Sequence, residues 1–184
     1  MNQSAERRVR GLQQSGERGL LCGSRRGLEK ESLRVTQDGH IAQTPHPVGL
    51  GSALCHPSIT TDYSEALLEL VTAAYTDESE ALARLDALHR YTYSQIGDEL
   101  LWVTSMPCIV GGDAQIPIAD YGTSNIGKMK HVYRRGLGWR YGRSMQAIAG
   151  IHFNYSFSEP FLRAVQARED DPREFKTFRS EFYF

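Results

Sequence analysis

Residues 28–36, LEKESLRVT, carry the pattern that most constrains the fold of this chain, because polar and apolar side chains alternate along them. A period of two residues predicts a β-strand with one face turned toward a core. Asp38-Gly39 follows, a pair that favours the positive φ angles of a two-residue hairpin turn. Residues 40–44 are the expected return strand, since prolines end it. The chain is therefore predicted to begin a sheet with a hairpin.

Residues 66–72, ALLELVT, predict a second strand, which is buried and carries one carboxylate. A helix is predicted from Thr76 to about Leu101, because its apolar side chains recur every three to four residues and a polar residue near Thr76 can cap it.

The second half of the chain predicts another helix and another strand. The helix covers about 125–137, and Gly136 and Gly138 are expected to stop it. Residues 145–157, MQAIAGIHFNYSF, predict the last clear strand. Strands separated by helices, with an early hairpin, indicate an α+β fold with a largely antiparallel sheet.

The two ends of the chain differ from this central pattern. Residues 1–26 hold six arginines against two glutamates, with four glycines and three serines interspersed. This composition predicts a loosely ordered basic arm over about residues 1–24, or alternatively an anionic contact. Residues 170–181 predict a charged helix, and three aromatic residues follow at 182–184. Since apolar surface is favoured inside a fold, the chain is expected to be the N-terminal piece of a longer protein, incomplete at its C-terminus.

Composition excludes several classes of protein. Lys plus Arg number 21 and Asp plus Glu number 22, a balance that argues against nucleic acid as the main partner. No run approaches 18 apolar residues, so no membrane span is expected, and a cytoplasmic setting is expected because a signal peptide pattern is lacking. Three cysteines without CxxC spacing suggest neither a disulfide framework nor a structural zinc site.

Four carboxylates on or next to the predicted strands could bind a metal ion. Glu29 and Glu31 project from one face of their strand, with Cβ atoms roughly 6 to 7 Å apart. Glu69 stands inside the apolar run ALLELVT, and Asp62 precedes that run. Mg²⁺ accepts oxygen ligands from several strands. The alternatives are a solvated strand end for Glu29 and Glu31, and an edge strand that turns Glu69 toward water.

The strand predicted at 145–157 has two distinct faces. The odd-numbered residues are apolar and are expected to face the core. The even-numbered ones include Gln146, Gly150, His152 and Asn154, which together are typical of the floor of a small-molecule site. A strand with one solvated face would show the same pattern.

Four long blocks of the sequence closely resemble bacterial glutamate–cysteine ligase. They occur in the family's order over about residues 25–160, and they are RGLEKESLRV (26–35), LGSALCHPSITTDYSEALLELVT (50–72), YGTSNIGKMKHVYRRGL (121–137) and SMQAIAGIHFNYSF (144–157). The resemblance implies a fold similar to glutamine synthetase, in which an antiparallel sheet forms the floor of the active site. It identifies residues 25–184 as the N-terminal part of the ligase catalytic domain.

The resemblance also implies a reaction. ATP would phosphorylate the γ-carboxylate of L-glutamate, and the amino group of L-cysteine would displace phosphate, which is the first step of glutathione synthesis. Mg²⁺, with Mn²⁺ as an alternative, would screen the phosphate charge. The family's metal ligands fall on Glu29, Glu31, Asp62, Glu69 and His152.

Substrate residues follow from the same resemblance. The cysteine pocket maps onto Tyr63, Tyr133 and Leu137, although relatives commonly have Phe where this chain has Tyr63. The glutamate pocket maps onto Gln146, Ile148 and Asn154. Two alternatives stay open: a related carboxylate–amine ligase with another amino-acid substrate, and a non-catalytic fragment that binds metal or amino acid.

Overall fold

The computed structural model describes residues 3–14 and 17–183, which divide into two compact units. One unit comprises residues 27–73 and 79–154, and the other comprises residues 1–26, 74–78 and 155–184. The strands are β1 (Arg25–Val35), β2 (Ile59–Thr61), β3 (Leu67–Val71), β4 (Leu100–Leu101) and β5 (Ile151–Ser156). The helices are α1 (Gln3–Gln14), α2 (Glu78–Tyr93), α3 (Asn125–Tyr141), α4 (Arg143–Gln146), α5 (Glu159–Arg168) and α6 (Phe175–Glu181).

The five strands form one sheet, in which β1 is the longest. Strand β3 lies antiparallel between β1 and β2, and β1 also pairs with β4 and β5. The register places Glu31 opposite Glu69 and Leu33 opposite Leu67. The expected α+β fold with a largely antiparallel sheet is confirmed.

Each face of the sheet carries a hydrophobic cluster. Leu33, Val35 and Leu67 belong to the cluster on one face. Leu68 and Leu70, which have the opposite parity on β3, pack with Leu88 of α2 on the other face. Because Glu29, Glu31 and Glu69 share the parity of Leu33 and Leu67, these carboxylates extend the first face beyond its apolar part.

The predicted hairpin is present but its return strand is short. The turn has φ 83° at Gly39, and Val35 pairs with Ile41 in a single bridge. The prediction of a strand over residues 40–44 is wrong beyond that bridge. Thr44 is instead held by Arg34, whose buried guanidinium bonds to the Oγ1 and carbonyl oxygen of Thr44 and to the Glu99 carboxylate at 2.7 Å.

The first predicted helix is shorter than expected. Helix α2 ends at Tyr93, a turn with φ 61° at Gly97 follows, and Leu101 belongs to β4. The prediction that the helix continues to Leu101 is wrong, because Leu101 pairs with Arg34 of β1 and is buried beside the sheet.

The strand predicted at 145–157 is correct only in its second half. Residues 143–146 form α4, and β5 begins at Ile151. Ala147 and Ala149 are buried, but Ile151 and Phe153 are 66% and 64% exposed, so the core face expected for the odd-numbered residues is wrong there. Alternation in a sequence shows that two faces differ, whereas tertiary packing decides which face is covered.

Helix α3 runs past the two glycines that were predicted to end it. Ser124 caps it by accepting a hydrogen bond from the Gly127 N–H, and the helix ends at Tyr141, before Gly142 with φ 80°. Gly138 is needed inside the unit, because a Cβ there would lie 2.5 Å from the Tyr63 hydroxyl oxygen. A Cβ at Gly136 would meet nothing within 4 Å.

These two glycines give a matched pair of substitutions. We expect Gly138→Ala to lower the free energy of unfolding by about 1–3 kcal/mol, because the methyl group overpacks against Tyr63. Gly136→Ala should raise it by up to about 1 kcal/mol, because alanine favours a helix and meets open space. Urea unfolding of both variants checks this, and equal effects of the two substitutions would contradict it.

The second unit contains a hydrophobic cluster of its own. Buried Phe161, Leu162, Val165 and Phe178 pack with apolar residues that include Leu12, Leu20, Leu21 and Phe182. Residues 3–14 are helical and residues 17–23 form a 3₁₀ helix, which differs from the loosely ordered arm that the sequence predicts. The three leucines explain the difference, since they give these segments an apolar contact.

The C-terminal elements also differ from prediction. The charged helix expected over 170–181 covers only α6, and α5 was not predicted although Ser158 caps it by accepting from the Phe161 N–H. Phe182 packs on Phe178 with ring centroids 5.8 Å apart, Tyr183 is half exposed, and Phe184 lies outside the described residues. Among the residues that the structure describes, no helix is both long and apolar enough to cross a membrane.

Candidate metal centre

Three carboxylates lie on one face of the sheet. Glu29 and Glu31 alternate along β1, and Glu69 stands directly opposite Glu31 on β3. The register therefore puts Glu31 and Glu69 on the same face. Antiparallel partners have Cβ atoms about 5 Å apart, so these carboxylates are near neighbours.

Strand β5 adds two polar side chains to this face. The Asn154 Nδ2 donates to Glu29 Oε1 at 2.7 Å, and His152 Nδ1 lies 2.9 Å from Glu29 Oε2. Both oxygens of Glu29 are thus held by side chains more than 120 residues away in the sequence. From His152 onward, the even-numbered residues of this strand therefore form a polar face, as the sequence predicts.

The ligand atoms of Glu29, Glu69 and His152 all lie within 4.8 Å of one another. Two carboxylates and one imidazole form a donor set that accepts Mg²⁺ or Mn²⁺, with water and substrate oxygens as further ligands. The residues present therefore fit a divalent cation. The sequence places these three residues in a candidate site, and the structure brings them together.

Glu31 and Asp62 adjoin this cluster without belonging to it. Glu31 Oε2 accepts the Gly150 N–H at 2.7 Å, and an added Cβ at Gly150 would lie 3.5 Å from that oxygen and 3.3 Å from His152 Nε2. The absence of a side chain at Gly150 thus leaves room for His152 beside the Glu31 carboxylate. Asp62 is near enough for its charge to act on both Glu31 and Glu69.

The electrostatics of the site are those of crowded anions. Burial raises the pKa of Glu31 and of Glu69, and the negative charge of Asp62 raises both further. The hydrogen bond from His152 lowers the pKa of Glu29, and the same bond raises the pKa of His152. A bound cation would relieve the repulsion among these carboxylates, which is why such an arrangement favours metal.

The residues assigned to the cysteine pocket lie around α3. Tyr63 is 2% exposed and its hydroxyl has no hydrogen-bond partner among the described residues. Leu137 packs against the same hydrophobic cluster as Tyr63, whereas Tyr133 is exposed on α3.

The residues assigned to the glutamate pocket are spread over three segments. Gln146 is half-buried at the end of α4, Ile148 is exposed in the loop after it, and Asn154 is exposed on β5. Of these three, Asn154 contacts the carboxylate cluster, through Glu29.

Sequence reasoning missed the residue that fixes Asp62. The Arg134 Nε donates to the Asp62 carbonyl oxygen at 2.6 Å, and its guanidinium lies 4.8 Å from the centroid of the Tyr121 ring. Tyr121 in turn donates to the Thr61 carbonyl oxygen at 2.8 Å. The signal that could have indicated this role is the group of basic residues at 128–135.

The fold and the cluster define an α+β chain whose antiparallel sheet carries, on one face, a donor set suited to a divalent cation. The chain belongs to the glutamate–cysteine ligase family, whose sequence profile matches residues 9–184. This match extends beyond the 25–160 over which the resemblance was recognised.

Similar proteins carry the same family name. Glutamate–cysteine ligase of Alcanivorax borkumensis is 55% identical over 179 residues, covering 97% of this chain and 34% of that protein. The Janthinobacterium enzyme is 52% identical over 177 residues, covering 96% of this chain and 34% of that protein. The chain thus spans about a third of the length of these relatives.

Two solved structures share the fold. The glutamate–cysteine ligase of Francisella tularensis in complex with AMP has a TM-score of 0.77 and 43% identity, over 80% of this chain and 30% of that one. A bifunctional glutathione synthetase from Pasteurella multocida has a TM-score of 0.81 and 30% identity, over 94% of this chain and 22% of that one.

Proposed function

We propose that this chain supplies the metal-binding floor of a glutamate–cysteine ligase, which joins the γ-carboxyl of L-glutamate to the amino group of L-cysteine at the expense of ATP. The observation that carries the proposal is the Glu29, Glu69 and His152 cluster on the sheet of a chain from this family. The AMP bound by the Francisella tularensis relative supports a nucleotide as co-substrate. Synthesis of a thiol dipeptide also suits the reducing cytoplasm.

The chain's own residues would hold the metal ligands in place. His152 and Asn154 fix both oxygens of Glu29, and the Gly150 N–H fixes one oxygen of Glu31. When bound, Mg²⁺ would neutralise phosphate charge and orient the reacting oxygens. We assign Glu29, Glu31, Asp62, Glu69 and His152 to Mg²⁺ or Mn²⁺.

The substrate residues are part of the same proposal. Tyr63, Tyr133 and Leu137 would form an apolar wall for the cysteine side chain. Gln146, Ile148 and Asn154 would contact glutamate. In this arrangement the γ-carboxylate would lie beside the carboxylate cluster, because Asn154, which we assign to the glutamate pocket, donates to Glu29.

A chimera tests this function. This chain would replace the matched third of the Alcanivorax borkumensis relative, and ADP and γ-glutamylcysteine would be measured with ATP, Mg²⁺, glutamate and cysteine. We expect the chimera to form product. Glu69→Gln should lower its rate by at least about a hundredfold, because losing a metal ligand costs more activity than losing a residue that supports a ligand. Glu80→Gln on the exposed face of α2 removes the same charge and should leave the rate unchanged.

Two results would contradict the proposal. One is a chimera that folds, as judged by a cooperative melting transition, yet forms no product. The other is a Glu69→Gln rate equal to that of Glu80→Gln.

A further inference from the structure

Helix α4 is too short to be stable without contacts from elsewhere in the chain. It comprises Arg143–Gln146, and the first four N–H groups of any α-helix lack a partner within the helix. A four-residue helix therefore leaves every one of its N–H groups without such a partner. Gly142, which precedes α4, supplies no side-chain cap. Since forming a single helical turn is unfavourable by itself, other residues must hold α4 in place.

The side chain of Asp113 supplies the missing cap from 30 residues earlier in the chain. Its Oδ2 accepts the Arg143 N–H at 2.8 Å, and its Oδ1 accepts the Ser144 N–H at 3.0 Å together with the Ser144 hydroxyl. These hydrogen bonds, above all the one from the Ser144 side chain, lower the pKa of Asp113. An ionised carboxylate that accepts backbone N–H groups at a helix start forms charge-assisted hydrogen bonds, which are stronger than neutral ones.

Asp113 belongs to a segment that is anchored in the core. It begins a 3₁₀ turn over Asp113–Gln115, and the next residue, Ile116, is fully buried in the hydrophobic cluster of the sheet. The Arg143 guanidinium donates to the Ile116 carbonyl oxygen at 3.0 Å, so each of the two segments donates to or accepts from the other. We call these contacts of Asp113 and Arg143 the α4 latch.

The residues that follow α4 are held by different contacts. Ala147 and Ala149 are buried in the core, and the Gly150 N–H donates to the Glu31 carboxylate. Gln146 lies between these contacts and the α4 latch, half-buried at the end of the helix. The α4 latch therefore fixes the turn that carries Gln146, whereas the core contacts fix the backbone beyond it.

We infer that Asp113 is a positioning residue for the L-glutamate pocket, because it keeps α4 folded and thereby holds Gln146 where this side chain can bind the substrate. The inference rests on the proposed function, in which Gln146 contacts glutamate. Without the Asp113 carboxylate, the N–H groups of residues 143 and 144 would need water as their partner, and the turn would open. Gln146 would then have to be ordered during binding, which weakens the binding of L-glutamate.

Kinetics of the Alcanivorax borkumensis chimera test this role. Asp113→Ala should raise the KM for L-glutamate by roughly threefold to thirtyfold, which corresponds to the loss of a helix cap, and should leave kcat and the KM for ATP unchanged. Asp113→Asn keeps an oxygen for Ser144 but loses the acceptor of the Arg143 N–H, so its KM should lie between those of Asp113→Ala and the chimera without substitution. Hydrogen exchange, followed by mass spectrometry without substrates, should be faster over residues 143–147 in Asp113→Ala.

Ser158→Ala is the matched control. It removes the cap of α5, where Ser158 Oγ accepts the Phe161 N–H, so it takes away a comparable hydrogen bond without touching α4. The KM for L-glutamate should not change in this variant. An unchanged KM in Asp113→Ala would overturn the inference, and so would an equal rise in Ser158→Ala.

A chimera that forms no product would contradict the proposed function and would still test the α4 latch. L-glutamate binding would then be measured by equilibrium dialysis in the chimera with and without Asp113→Ala. Faster exchange over residues 143–147 together with weaker L-glutamate binding in Asp113→Ala would support the inference. Unchanged exchange, or L-glutamate binding that does not differ between the two proteins, would overturn it.

Discussion

Glu31→Gln should raise the melting temperature of the metal-free chain while lowering its affinity for Mg²⁺ by about tenfold to a hundredfold. Burial raises the pKa of Glu31 even though Gly150 donates to its carboxylate, and the charge of Asp62 adds to the rise. Glutamine keeps the oxygen that accepts from Gly150 and removes the charge that faces Glu69. The change thus relieves repulsion without removing the hydrogen bond.

The gain in stability should depend on pH in a defined direction. A raised pKa means that the folded chain holds the proton of Glu31 more tightly than the unfolded chain does. The ionised carboxylate therefore destabilises the fold, and this loss appears as the pH rises from the ordinary value of 4.5 through the raised pKa. The advantage of Glu31→Gln should be present at pH 8 and absent at about pH 4.

Thermal unfolding and Mg²⁺ titration calorimetry of the same samples measure both effects. Glu80→Gln, which removes an exposed carboxylate on α2, is the control and should change neither quantity. An unchanged Mg²⁺ affinity in Glu31→Gln would show that Glu31 does not act on the metal. A lower melting temperature at pH 8 would show that repulsion at this position is not the dominant effect.

The part of the site on β1 and β3 could be predicted from sequence because it depends on a period of two residues. Alternation on LEKESLRV fixes the face of Glu29 and Glu31, and the same rule places Glu69 beside Leu67 on β3. On β3, however, apolar residues of both parities flank Glu69, so its face is set by the register with β1 and not by its own segment.

The contribution of β5 could be predicted only in part. The sequence shows that His152 and Asn154 are polar and lie on one face of the strand. It does not show their contacts with Glu29, because these join residues 123 and 125 positions apart. The Gly150 N–H that holds Glu31 is a backbone group, and side-chain patterns do not reveal it.

The ends of the helices depended on contacts that local patterns do not contain. Helix α3 continues through Gly138 because that glycine packs against Tyr63, a residue 75 positions earlier in the printed sequence. Local propensity counts such a glycine as a stop, whereas the packing of the unit requires it inside the helix. The leucines of residues 12–21 were overlooked for the same reason, since their partners lie on α5 and α6.

The chain by itself should form no detectable γ-glutamylcysteine, although it should bind Mg²⁺. It spans about a third of the matched relatives, so it supplies one wall of the proposed site. The reaction requires the γ-phosphate, glutamate and the cysteine amine to be held in line. Such positioning contributes roughly 7–11 kcal/mol to lowering a barrier, and one wall of a site does not hold all three reactants in line.

The measurement compares residues 1–184 with the Alcanivorax borkumensis chimera under identical conditions, following ADP release and dipeptide formation by mass spectrometry. Mg²⁺ binding to the chain would also be measured, and it should be weaker in Glu69→Gln. That result would show that the chain is folded and that its lack of turnover is not caused by loss of the metal centre. Product formed by the chain alone and abolished by Glu29→Gln would contradict the prediction. In that case the sheet, with its carboxylates and His152, would position all three reactants, and the additional sequence of the relatives would be dispensable for the chemistry.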